Sequence, residues 1–283
     1  MSRAGALRLG YADTHLGQLH HADAGEGPPI LLLHQTPRSL DEFAEVQPLL
    51  ATDRRVIAMD MYGFGMSAKP SGPQSIEQYA EGALALLDAL GITSFDVLGH
   101  HTGAYVAAEL AAAVPHRVRS LIQSGAGFAS ADYRARPPHA VDVAATAADG
   151  SHLAVLWSQR RPVYPAGRPD LLDRFIRDAL APGVDPHEGH VACRRYVQED
   201  RIALVTCPVL VLAQTADPHS YPRTETLAGA FVHATAVEVV LIEGGSVAAM
   251  EQRPVEVVAA VRSFLDRHFP SSEPSSESRQ EQP

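Results

Sequence analysis

The residues best able to do chemistry lie at the ends of predicted strands, and His101 is the foremost of them. It is the central residue of Gly99-His100-His101-Thr102-Gly103, where a strand-like run passes into a helix-like run. An imidazole titrates near neutral pH, and as a well-placed general base it accelerates a reaction by roughly 10²–10⁴-fold. His101 could therefore activate water or deprotonate an acidic C–H or O–H of a substrate. Direct attack of the imidazole on an acyl group is a less usual route.

Three histidines, His34, His100 and His101, fall near one predicted cleft and raise the question of a metal site. Adjacent residues in a tight turn point apart, and no carboxylate–histidine spacing completes a ligand set. The stretch 185–190 (DPHEGH) has a metal-like composition, but a solvated loop is the better interpretation. Cys193 and Cys207 show neither metal-ligand spacing nor a disulfide framework. The sequence implies no metal, nucleotide or flavin.

The bulk composition is that of a soluble globular protein with a large core. The 283 residues are 46% hydrophobic and 20% charged, with a formal net charge of −10. This charge argues against nucleic acid or anionic membranes as partners, because both select clustered Lys and Arg. No apolar run approaches the roughly 20 residues that span a bilayer, and the N-terminus lacks a secretory h-region. We expect a cytoplasmic protein that acts on a small molecule; its oligomeric state is not indicated.

The elements that must position these residues alternate between short β-branched runs and longer amphipathic segments. This alternation predicts an α/β fold with a mostly parallel central sheet flanked by helices. It breaks down in the middle of the chain, so we predict a core of residues 1–125 and 206–269, a helical cap inserted at 126–205, and a disordered tail at 270–283. The predicted strands are 8–14, 18–22, 30–33, 55–60, 94–99, 118–124, 208–213 and 237–242, and the predicted helices are 39–50, 75–90, 103–114, 170–180 and 254–269.

Three segments resemble, in order, the α/β-hydrolase fold superfamily, and the resemblance covers nearly all of the chain apart from the cap and tail. Residues 33–37 (LHQTP) resemble the strand-end loop, usually His-Gly-x-Pro, that supplies an oxyanion-hole amide. Residues 60–67 (DMYGFGMS) resemble the D-x-x-G-x-G-x-S loop. Residues 99–103 (GHHTG) occupy the place of the G-x-S-x-G nucleophile elbow, whose tight turn needs small flanking residues.

The resemblance also implies which catalytic positions are altered. At the elbow, His101 stands where a serine, cysteine or aspartate nucleophile is usual. Asp217, after the run PVLVLA, matches the carboxylate that orients the catalytic histidine. The segment 242–251 (IEGGSVAAME) resembles G-G-H-x-x-x-x-E, with Ser246 in the place of that histidine. We therefore expect Asp217 to face position 246 rather than position 101.

The oxyanion hole is the feature most expected to persist, since it uses backbone amides. By the resemblance these are the amides of Thr36 and Thr102, the second at a helix N-terminus whose dipole favours negative charge. Gln35 replaces the usual glycine and could crowd the loop or add a side-chain donor. His34, His100 and Asp60 are expected to stabilise their own surroundings.

Three hypotheses for the altered site remain open. The leading one is an enzyme acting on a small hydrophobic carbonyl compound, with His101 as general base, by hydrolysis or by related lyase, cyclisation or isomerisation chemistry. In an exchanged dyad, Ser246 would be the nucleophile and His101 its base. In a non-catalytic descendant, the pocket would bind a ligand without turnover.

Overall fold

An eight-stranded sheet forms the centre of the computed structural model, which describes residues 6–135, 142 and 144–270. Strands β3 to β8 run parallel, whereas β1 and β2 are antiparallel at one edge. The order across the sheet is β1-β2-β4-β3-β5-β6-β7-β8, so the predicted mostly parallel α/β architecture is confirmed. The strands are β1 Arg8–Thr14, β2 Gly17–Ala24, β3 Pro29–Leu33, β4 Arg55–Met59, β5 Phe95–His100, β6 Val118–Ser124, β7 Val209–Gln214 and β8 Val237–Ile242.

The central strands are buried on both faces, which explains their continuous apolar sequences. Every residue of β5 and β7 is buried. One apolar cluster lies on each side of the sheet, with Leu31 and Leu33 facing one and Ile30 and Leu32 facing the other. Because β3, β5, β6 and β7 are parallel neighbours, their carboxyl ends lie at the same end of the sheet, where the following loops can carry a site.

The helices on the two faces begin and end close to the predicted bounds. Ser75 caps the second helix through a reciprocal capping box with Gln78, and Gly91 follows the helix end with φ +68°. The predicted helix 39–50 is instead a 3₁₀ turn followed by a single α-helical turn, because Pro48 has no amide hydrogen for a continuous helix. The helices are α1 Gln47–Leu50, α2 Ile76–Ala89, α3 Thr102–Ala113, α4 Ala131–Ala135, α5 Ser151–Arg160, α6 Pro169–Ala179, α7 Glu188–Arg195, α8 Gln198–Ile202, α9 Thr224–Ala230, α10 Ala249–Gln252 and α11 Pro254–His268.

The segment between β6 and β7, which we call the helical insertion (126–205), contains α4 to α8. A buried arginine attaches it to the sheet: Arg38 Nε donates to Asp178 on α6, and Nη1 donates to Glu251 on α10, at 2.9 and 2.6 Å. The solvated loop expected at 185–190 is wrong in part, because residues 188–190 form the first turn of α7 and Gly189 is buried. The predicted domain bounds remain a prediction, and most of the tail lies outside the described residues.

Candidate active site

His101 occupies a strained turn between β5 and α3. Its φ of 48° and ψ of −112° are rare for a residue with a side chain, and such conformations concentrate at functional sites. Two glycines make the turn possible. A Cβ on Gly99 would lie 2.1 Å from the Gly103 carbonyl oxygen, and one on Gly103 would lie 2.0 Å from the Leu33 carbonyl oxygen. His101 therefore lies in a tight strand-to-helix turn that depends on both glycines.

Asp217, in the loop after β7, faces this histidine. Nε2 of His101 lies 3.2 Å from Oδ2 of Asp217, at ion-pair distance although outside hydrogen-bond geometry. Burial alone would raise the pKa of the Asp217 carboxyl, but His101, the Ser220 hydroxyl and the His219 amide together hold it well below its ordinary value. Asp217 is therefore an anion at neutral pH. Its pairing with position 101 differs from the expected pairing with position 246.

The two nitrogens of the His101 ring have different surroundings. Nε2 is buried against Asp217, whereas Nδ1 is not buried and makes no hydrogen bond to any residue that the structure describes. About 18% of the side chain is exposed. With an anion beside Nε2, the neutral ring keeps its proton there, and Nδ1 carries the free lone pair. Nδ1 is the nitrogen available to a substrate or to water.

Ser246 lies in the loop after β8 and uses its hydroxyl locally. Its Oγ donates to Oε1 of Gln252 at 2.8 Å and accepts from the Ala248 amide at 3.3 Å. Its own amide also donates to Gln252, at 2.9 Å. Within the described residues, no hydrogen bond joins Ser246 to His101 or Asp217. The serine hydroxyl is therefore used within its own loop.

Thr36 and Thr102 lie together at the carboxyl edge of the sheet. Their hydroxyl oxygens are 2.8 Å apart, which joins the loop after β3 to the start of α3. Thr102 is the first residue of α3, so its amide has no acceptor within the helix. The Thr36 amide likewise donates to no group in the described part of the chain. Both amides are therefore without an acceptor among the described residues at this end of the sheet.

Gln35 supports this loop from behind. Its amide donates to Oε2 of Glu42 at 2.7 Å, and its side-chain nitrogen donates to Glu42 Oε1 and to the Val247 carbonyl. The side chain is 2% exposed, so its donors are occupied away from His101. Burial raises the pKa of Glu42 to about 7, with Arg38 and Gln35 opposing the shift. Gln35 thus joins the oxyanion loop to a buried carboxyl group.

His100 connects the ends of three neighbouring strands to the loop that carries Ser246. Its Nε2 lies 2.9 Å from the Val247 carbonyl oxygen, and its Nδ1 lies 3.0 Å from Ser124 Oγ. Gln214 in turn donates to Ser124 at 2.8 Å. A carbonyl can only accept, so Nε2 carries the proton and the ring is neutral. Burial, reinforced by His101, lowers the pKa of His100 to about 3.

His34 and Asp60 also hold structure. The His34 ring accepts from the Met61 amide at Nε2 and lies 2.7 Å from the Gln35 carbonyl oxygen at Nδ1. Asp60 accepts from the amides of Leu40 and Met66, each at 2.7 Å. His34, His100 and His101 therefore each contact different partners and do not converge on one point. Among the described residues, no group of three or more His, Cys, Asp or Glu is arranged to hold a metal ion.

Sequence reasoning missed residues whose importance depends on packing. A Cβ on Gly125, which has φ +59°, would lie 2.9 Å from Nε2 of His101, so this glycine makes room for the ring. A glycine directly after a predicted strand end was the available signal. Two surface clefts of about 340 and 320 Å³ lie away from His101, one beside 70–74 and the other beside 23–27. Neither of these clefts is lined by His101.

Comparisons with known proteins agree with the fold. Residues 28–218 match the sequence model of a family described as alpha/beta hydrolase fold. A 2-hydroxymuconate semialdehyde hydrolase of Pseudomonas sp. (strain CF600) is 38% identical over 112 residues, which are 38% of this chain and 40% of that protein. A fluoroacetate dehalogenase of Burkholderia sp. is 37% identical over 102 residues, 34% of each chain. The enol-lactonase from Burkholderia xenovorans LB400 superposes with a TM-score of 0.74 at 22% identity, over 90% of this chain and 99% of that one.

Proposed function

Since the chain belongs to the alpha/beta hydrolase fold family, we propose that it is an enzyme in which His101 acts as a general base on a small, hydrophobic, carbonyl-containing substrate. One observation carries the proposal: the elbow histidine places Nε2 3.2 Å from the buried carboxylate of Asp217 and leaves Nδ1 accessible. A carboxylate in this place fixes the tautomer of the ring and stabilises the imidazolium that forms on proton transfer.

The proposed reaction uses Nδ1 and the two threonine amides together. The substrate carbonyl oxygen lies between the amides of Thr36 and Thr102, at the positive end of α3. In hydrolysis, Nδ1 of His101 takes a proton as water attacks the carbonyl carbon, and it returns that proton to the leaving group when the tetrahedral intermediate collapses. In lyase, cyclisation or isomerisation chemistry, Nδ1 removes a substrate proton, and the same amides stabilise the enolate oxygen.

The position of Asp217 favours this dyad over the exchanged one. In the exchanged dyad, Ser246 would pass its proton to His101. Instead its hydroxyl donates to Gln252 at 2.8 Å. No observation in the described residues specifically favours a binding protein without turnover.

The relatives support a small-molecule substrate. The two relatives are named for hydrolysis of a semialdehyde and for dehalogenation of fluoroacetate, and each matched segment spans no more than about two-fifths of its relative. None of the described helices is long and apolar enough to cross a membrane. We further propose that the enzyme is cytoplasmic and needs neither a metal nor an organic cofactor.

The test is turnover of a panel of p-nitrophenyl esters, lactones and epoxides by the wild type, His101→Ala and Ser246→Ala. We expect His101→Ala to lose 10²–10⁴-fold in kcat/KM and Ser246→Ala to stay within about threefold of the wild type. A fluorophosphonate probe should not label Ser246. Loss of activity in both variants, with labelling at Ser246, would establish the exchanged dyad instead. Turnover of none of the compounds by the wild type would count against hydrolysis.

A further inference from the structure

The start of helix α7 rests directly on the threonines of the proposed oxyanion site. A Cβ on Gly189 would lie 1.9 Å from Oγ1 of Thr36, so only glycine permits this approach. One turn later, the Cys193 thiol interacts with the Thr102 side chain. His190 follows Gly189 directly, with its Cα about 3.8 Å away. The helix that carries a second histidine, His190, thus packs against these threonines.

His190 is paired with a carboxylate of its own. Its Nε2 lies 2.8 Å from Oδ2 of Asp142. Asp142 is fully buried, and its carboxylate accepts hydrogen bonds from Nε and Nη2 of Arg160. Its backbone amide donates to Oε1 of Gln159 at 2.8 Å. Its φ of 61° is rare for a residue with a side chain, and such backbone persists only where the surroundings hold it in place. Burial would raise the pKa of Asp142, but Arg160 and His190 lower it, so the group is an anion.

This arrangement fixes the hydrogen-bonding character of the other ring nitrogen. An anion at Nε2 keeps the proton there, which leaves Nδ1 as an acceptor. Burial lowers the pKa of His190, against the opposing effect of Asp142, while Arg160 and His187 lower it further. The ring is therefore mainly neutral at pH 7.

The second ring nitrogen of His190 is accessible from outside the protein. About 32% of the His190 side chain is exposed although the ring lies deep in the protein. Its Nδ1 is not buried and bonds to no residue in the part of the chain that the structure describes. His219 interacts electrostatically with both His101 and Arg160, so it lies within reach of one histidine–aspartate pair and of the arginine that binds the other.

We propose that His190 determines specificity by accepting, at Nδ1, a hydrogen bond from a substrate hydroxyl group. The inference rests on the proposed function and deepens it: the carbonyl faces His101 and the threonine amides, and the hydroxyl faces His190. The substrate class is therefore a hydroxy-substituted carbonyl compound. A site built around a fixed acceptor discriminates against an analogue without the donor, because the acceptor then loses its partner.

The test compares 2-, 3- and 4-hydroxyacetophenone with the corresponding methoxyacetophenones, on the full chain labelled with ¹⁵N-histidine. We expect at least one hydroxy isomer to bind about tenfold more tightly than its methyl ether. The ring nitrogen signals of both His101 and His190 should shift on binding. In Asp142→Asn the amide can donate to Nε2 and move the ring proton to Nδ1, so the preference for the hydroxyl should disappear.

A second variant keeps the test independent of the buried Asp142. His190→Phe should abolish the tenfold preference and leave the affinity for the methyl ether within about threefold; the signals of the buried His34 and His100 report whether it folds. Equal affinities in the wild type, no binding of any probe, or shifts at His101 without shifts at His190 would overturn the inference. Shifts at His190 without shifts at His101, with the hydroxyl preference intact, would instead contradict the proposed function and leave hydroxyl recognition standing.

Discussion

Replacing Asp217 with asparagine tests the proposed dyad most directly, because it changes the charge beside His101 with almost no change in shape. At 3.2 Å, a unit charge pair interacts with about 5 kcal/mol at an effective dielectric of 20. This interaction is absent while His101 is neutral and appears as the ring takes a proton, so it stabilises the transition state more than the ground state. An asparagine amide can also donate to Nε2 and leave the proton on Nδ1.

We expect Asp217→Asn to lower kcat/KM by 10²–10⁴-fold with a small change in KM, measured on whichever panel ester or lactone the wild type turns over. Ser220→Ala is the matched control. It removes a 2.5 Å hydrogen bond to the same Oδ2 but keeps the charge, and we expect a loss of no more than about tenfold. Thermal unfolding of each variant identifies any activity lost through instability.

The reasoning would be refuted if Asp217→Asn retained more than a tenth of the wild-type kcat/KM while remaining folded. It would also be refuted if Ser220→Ala lost as much activity as Asp217→Asn, since the carboxylate would then serve only to hold its loop. A large rise in KM at constant kcat would assign Asp217 to substrate binding.

The remaining predictions concern stability. Gln35→Leu removes the side-chain donor of the buried Glu42 and keeps the backbone amide of residue 35. It should cost about 1–3 kcal/mol in urea unfolding, with a smaller effect on kcat than on stability; an unchanged midpoint would contradict it. Arg38→Met removes the guanidinium group shared by the buried side chains of Asp178 and Glu251 and should cost about 3–5 kcal/mol, whereas a neutral effect would show that this group is dispensable for stability. His100 has a folded pKa of about 3 against about 6.5 unfolded, so its stabilising effect is present above pH 6.5 and is lost toward pH 3. His100→Gln should therefore remove a slope of about 1.4 kcal/mol per pH unit between pH 6 and 4.5; parallel curves would refute this.

The comparison with His100→Gln is needed because two other buried groups change the stability with pH in the opposite direction. Glu42 and Glu251 have folded pKa values of about 7, raised by burial. They hold protons in the folded chain that the unfolded chain releases above about pH 4.5, so stability falls as the pH rises from 4.5 to 7. The wild-type curve alone would combine both effects, whereas the difference between the two proteins isolates the histidine.

The sheet could be predicted from sequence because its central strands are continuous apolar runs that end in turn residues. Val118–Ser124 and Val237–Ile242 were predicted to the residue. The helix predicted at 39–50 was wrong, because the apolar spacing on which it rests takes no account of Pro48. The start of α7 was predicted as a loop because residues 185–190 (DPHEGH) carry no apolar face, whereas residues 188–190 begin a helix that packs against Thr36.

The site could be predicted only as far as local spacing reaches. Gly99 and Gly103 predict a tight turn around His101 regardless of which residue lies at its centre. The partner of Asp217 could not be predicted, because the orientation of a side chain across a cleft depends on its length. The pairing of Asp142 with His190 joins residues 48 positions apart in the helical insertion. No regular spacing encodes that contact.

We propose one physical explanation for the two expected departures from the family's pattern, at positions 101 and 246. A serine at the elbow is too short to reach the acid loop, so a histidine at position 246 must bridge the two. An imidazole at position 101 spans that distance itself and brings Nε2 to Asp217. A second imidazole at position 246 would then compete for the same carboxylate. Once histidine occupies the elbow, position 246 is free to take a residue that serves its loop, and Ser246 does so through Gln252 and Ala248.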